Sequence, residues 1–101
     1  MAEPNPEELF DRGEDILNFA LNGGGGTFRP DSLESKEYYI QAKEYFEKAC
    51  GLNSGRGCNG LGALYYNGQG VEKDLTKTTY FYSKACKLGE QLACKALKEL
   101  R

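Results

Sequence analysis

"EKACGLNSGRGC" (47–58) and "SKACKLGEQLAC" (83–94) stand 36 residues apart, 83 against 47, and their likeness decides how the chain is read. Laid on each other, Lys48, Ala49, Cys50, Leu52 and Cys58 meet identical partners in Lys84, Ala85, Cys86, Leu88 and Cys94. Upstream, Tyr45 and Phe46 fall on Phe81 and Tyr82; downstream, Leu61 and Leu64 fall on Leu97 and Leu100. One offset that carries apolar positions and cysteines together is an internal repeat. A period of this length marks a supersecondary unit that buries its apolar face on the next unit.

The periodicity inside each unit is helical. Ala42, Tyr45, Phe46 and Ala49 recur at i, i+3, i+4 and i+7, as do Thr78, Phe81, Tyr82 and Ala85. Leu61, Leu64 and Tyr65 form a stripe on a shorter helix, where Gly62 and Ala63 are small enough for close packing. Asn5-Pro6-Glu7-Glu8 supplies an N-cap, a proline at the first helical position and a glutamate at the third. Gly68 and Gly70 stop a helix near Asn67, Asp74 caps the next, and Asp31 with Glu34 offers a capping box. These signals predict helices over about 6–21, 32–50, 55–66, 75–87 and 91–100, with no strand. The fold class is therefore all-α: an α-solenoid of two helix-turn-helix repeats, about 6–50 and 55–87, with a C-terminal capping helix over about 91–100, all in one domain spanning 1–101.

Composition bounds the chemistry. The 101 residues suffice for one modest core, and a net charge of −2 does not point to nucleic acid or an anionic membrane. No apolar run approaches a spanning length, and "MAEPNPEELF" lacks the basic and apolar regions of a signal peptide. There is no histidine, which removes the usual general base and the commonest metal ligand. Four cysteines in a small chain lean toward disulfides and an oxidising compartment, although four cysteines allow three pairings. The seven-residue gap inside each Cys pair does not match the short knuckles of zinc sites, so neither metal nor cofactor is expected.

The stretch "LGALYYNGQGVEKDLTKTTYFYSKAC" (61–86) resembles the Sel1-like repeat, itself similar to the TPR. The marks are Leu61-Gly62, Tyr65, the Gly68-x-Gly70-Val71 turn, Asp74, Lys77, Tyr82 and Lys84-Ala85. The two Cys pairs and the period are similar to the Helicobacter cysteine-rich protein subfamily, and "AEPNPEEL" resembles the mature start of such a protein. The resemblance implies a right-handed superhelix, disulfides Cys50–Cys58 and Cys86–Cys94, and a secreted or periplasmic setting. It also implies protein–protein interaction, with penicillin binding or weak β-lactamase activity associated with some members. Members usually run to several repeats, and Thr78 and Thr79 stand where the family prefers alanine. Together with a surplus of glycine at 23–26, these departures suggest a shortened or engineered derivative serving as a binder or scaffold.

The residues themselves offer no catalytic set. A serine β-lactamase needs Ser-x-x-Lys, but Ser32, Ser35, Ser54 and Ser83 lead to Ser35, Tyr38, Gly57 and Cys86. Carboxylates such as Glu7/Glu8 and Asp11/Glu14/Asp15 read as a solvated face near a helix N-terminus. A non-catalytic interaction module is therefore expected, its partner another protein, against the opposing reading of a penicillin-binding or β-lactamase-like protein. The candidate binding residues are Phe28, Arg29, Tyr38, Tyr39, Thr79 and Tyr80. The tyrosines are hard to bury by pattern, and Thr79 and Tyr80 align with solvent-facing Lys43 and Glu44. An exposed Tyr/Thr face would serve a homodimer equally. "NGGGGTFRPD" (22–31) is two residues longer than its counterpart "NGQGVEKD" (67–74), and Phe28 takes the plug position of Val71.

Overall fold

Capping chemistry places the helix starts in the computed structural model, which describes residues 4–100. Ala2 and Glu3 of the "AEPNPEEL" opening lie outside the described residues. The first helix, α1 (Pro6–Leu21), begins where Asn5 accepts a hydrogen bond from the Glu7 amide at 2.8 Å. Next come α2 (Leu33–Gly51), α3 (Gly55–Asn67), α4 (Leu75–Lys87) and α5 (Gln91–Glu99). No strand occurs among the described residues. At α2 the expected capping box is corrected: Ser32, not Asp31, accepts from the Ser35 amide, at 3.2 Å. The Asp31 carboxylate turns instead to the Arg29 guanidinium, 3.3 Å away.

The repeat is visible bond by bond. At the end of α2, Leu52 donates to Lys48 and Ala49, Asn53 to Cys50, and Ser54 to Ala49. At the end of α4, Leu88 donates to Lys84 and Ala85, Gly89 to Cys86, and Glu90 to Ala85. Asn53 and Gly89 both turn the chain with positive φ, 68° and 96°. Each turn is clamped by a disulfide, Cys50–Cys58 and Cys86–Cys94, whose Cα atoms lie 4.6 and 4.8 Å apart.

The core runs through both hairpins. Phe46, Leu61, Leu64 and Thr78 are fully buried, and Phe10 stacks on Phe46 with centroids 5.5 Å apart. Gly62 lets the Tyr82 ring lie against its helix: a Cβ there would stand 2.7 Å from the ring. Thr78 occupies the position of Ala42 without strain, because its hydroxyl donates to the Asp74 carbonyl at 2.9 Å. Arg56 at the start of α3 pairs with Glu7 at 2.9 Å and with Asp11 at 3.5 Å, and lies over the Phe10 ring.

The four glycines are not surplus. Gly23 to Gly26 all hold positive φ, between 61° and 97°, and form one left-handed turn between α1 and α2. A Cβ on Gly23 would overlap the Phe28 carbonyl, and one on Gly24 would overlap the Phe28 ring. The sequence marks this stretch as the turn between two helices and asks for at least one left-handed glycine; the structure uses all four.

Candidate interaction surfaces

Three surfaces emerge, and the sequence-proposed residues divide among them. At the outer end of the first hairpin, Phe28 packs on its own helix pair. Its ring stacks on Tyr38 at 5.7 Å and meets Phe19 edge-on at 5.9 Å, while Phe19 and Tyr38 stand 5.0 Å apart. Arg29 beside this cluster is solvent-exposed and reaches only Asp31.

Tyr39 departs from expectation. It is 7% exposed, its ring buried rather than standing out in solvent. Its hydroxyl donates to the Pro30 carbonyl at 2.9 Å, and Ser35 donates to the same oxygen at 2.7 Å. Gly70 of the second hairpin turn closes over it, with room for no Cβ (2.8 Å from the Tyr39 Cβ). Burial pushes the Tyr39 phenol above its ordinary range; Gln69 opposes the shift and Asp31 adds to it. Together the two hairpin turns flank an open polar cleft of about 880 Å³, lined by Asp31, Lys36, Tyr39, Gln69 and Glu72 among others.

The third surface lies along α2 and α4. Tyr80 is 58% exposed and meets Phe81 edge-on at 5.0 Å. Phe81 stacks on Tyr65 of α3 at 5.8 Å, and the Lys77 ammonium sits 5.1 Å from the Tyr65 centroid. These residues, with Glu47 and Thr76, line a hollow of about 460 Å³. An adjoining hollow runs from Tyr80 past Ser83, Lys84 and Lys87 on α4, and a separate one opens at Tyr45 and Lys48 on α2. Thr79 borders this face, its hydroxyl occupied by the Leu75 carbonyl at 2.9 Å. Of the six candidates, the structure stacks Phe28 on Tyr38 at one end, while Tyr80, with Thr79 next to it in the chain, lies on a separate surface. Tyr65, whose stripe position reads as core, is 9% exposed and belongs to the core; Phe81 is half-buried against it and Lys77 is exposed. Only the three-residue step from Lys77 to Tyr80 hints at a shared face.

Three of the four serines are engaged in local hydrogen bonds. Ser32 and Ser54 hold the amides of Ser35 and Gly57, and Ser35 donates to Pro30. Among the described residues no group of three or more His, Cys, Asp or Glu side chains is placed to hold a metal ion. No helix there is long and apolar enough to cross a membrane.

A hairpin pair of this kind, clamped at each unit end, defines a class, and comparison with known proteins agrees. The Sel1 repeat model matches residues 19–54 and 55–90, and the chain belongs to the Sel1 repeat family, whose repeats generally serve as protein-interaction modules. Over 77 residues, 76% of the chain, it is 55% identical to a protein named putative beta-lactamase HcpC of Helicobacter pylori strain J99. It is 40% identical over 81 residues, 80% of the chain, to one named beta-lactamase HcpA of the same strain. The chain spans only 21% and 26% of those two relatives. The solved structure of Helicobacter pylori cysteine rich protein B superposes with a TM-score of 0.57 at 30% identity, covering 93% of this chain and 73% of that one.

Proposed function

We propose that the chain is a non-catalytic protein-interaction module of an oxidising compartment, secreted or periplasmic, that binds another protein through the face of α2 and α4. The observation that carries this reading is exposed Tyr80 beside half-buried Phe81 on α4, backed by the buried Tyr65 ring of α3, on helices each clamped to a neighbour by a disulfide. Tyrosine supplies large contact area at low entropic cost, and a fixed helix face needs little ordering on binding. The two disulfides support the oxidising compartment. An engineered origin is not needed to explain the chain, since Thr78 and the glycine turn have clear places in the fold.

The β-lactamase names of the relatives give the second reading. Against it stand the missing histidine, the missing Ser-x-x-Lys and the engagement of Ser32, Ser35 and Ser54 in local hydrogen bonds. Nitrocefin hydrolysis decides between them. The purified, oxidised chain is expected to turn over nitrocefin no faster than buffer. Turnover that co-purifies with the chain and disappears on changing a single serine or lysine would overturn the proposal.

A further inference from the structure

Building on the interaction reading, we infer that the groove between α2 and α4 takes an acidic peptide segment carrying an apolar anchor. The charge pattern points there. Helix α4 carries Lys77, Lys84 and Lys87 and no acidic residue, in a chain whose net charge is −2. Lys48 on α2 lines a separate hollow with Tyr45. Among the described residues none of these four lysines has an acidic oxygen within ion-pair distance. The opposing charges are Glu44, Asp74 at the start of α4, and Glu47, which lines the 460 Å³ hollow and is already held by Lys43 at 3.3 Å.

The same strip supplies the anchor site. The hollow lined by Glu47, Tyr65, Thr76, Lys77, Tyr80 and Phe81 measures about 460 Å³, and three of these six residues are aromatic. Lys77 stands at the Tyr65 ring, so a carboxylate beside an inserted apolar side chain would meet a cation already held by an aromatic face. The adjoining hollow by Lys84 and Lys87 continues the basic strip along α4. A basic ligand would meet three like charges here, and a purely apolar one would leave them unused.

Selection from a random dodecapeptide phage library on the immobilised, oxidised chain tests the inference. Enriched peptides are expected to carry several Asp or Glu residues flanking Leu, Phe or Tyr. Their affinity should fall at least roughly tenfold in the double variant Lys77→Glu/Lys84→Glu, and comparably in Tyr80→Ala. The exposed Lys95→Glu on α5 should leave it unchanged, and added salt should weaken binding. Peptides that lose affinity in Tyr80→Ala but show no acidic enrichment would overturn the acidic ligand class while sparing the interaction face. Peptides indifferent to all three substitutions would overturn the face itself. Circular dichroism of each variant confirms that the fold is retained.

Discussion

Gly24 shows what a single residue contributes. Its φ of 61° and the overlap of any Cβ with the Phe28 ring both exclude a side chain. Gly24→Ala should therefore cost about 1–3 kcal/mol, read as a drop in thermal midpoint of roughly 5–15 °C. Gly51→Ala is the matched control. Gly51 sits in ordinary helical backbone with nothing within 4 Å of its would-be Cβ, so alanine there should be neutral or slightly stabilising. Equal losses in both variants would show that the turn is not left-handed as described. Tyr39 teaches the converse at this scale. Composition and spacing place it on the surface, but a nine-residue hydrogen bond to Pro30 and the approach of Gly70 bury it. Neither partner lies within its helical stripe, so no periodicity reports them.

At the scale of elements, the repeat was readable almost throughout. The 36-residue offset located the turns, and the structure reproduces the same cap hydrogen bonds in both copies. What pattern missed was local competition at a start: Asp31 looked like the cap of α2, yet its pairing with Arg29 left the role to Ser32. The two disulfides should also differ. Cys50 and Cys58 are 3% and 0% exposed, whereas Cys86 and Cys94 are half-buried near the chain's end. Under limiting dithiothreitol, alkylation followed by peptide mass mapping should label Cys86 and Cys94 first. Loss of either clamp, each closing nine residues, should destabilise by about 2.6 kcal/mol on the chain-entropy model. Earlier labelling of Cys50 and Cys58 would contradict the burial order.

Across the whole molecule, two hairpins and a capping helix present one strip where aromatic and cationic side chains coincide. The sequence displayed Tyr80 and the α4 lysines but not their meeting with Tyr65 and Phe81, because that meeting joins α3 to α4 across the core. Candidates grouped by exposure alone were scattered, with Phe28 and Tyr38 closing their own hairpin end beside Phe19. The central claim is that this strip, rather than the hairpin end or the polar cleft between the turns, is the binding face. Chemical-shift mapping by NMR on the ¹⁵N-labelled chain, titrated with a library-selected peptide, reads this directly. Perturbed amides are expected to concentrate on α2 residues 44–48 and α4 residues 76–87. Perturbation centred on residues 30–36 and 67–72, or on Phe19, Phe28 and Tyr38, would contradict it.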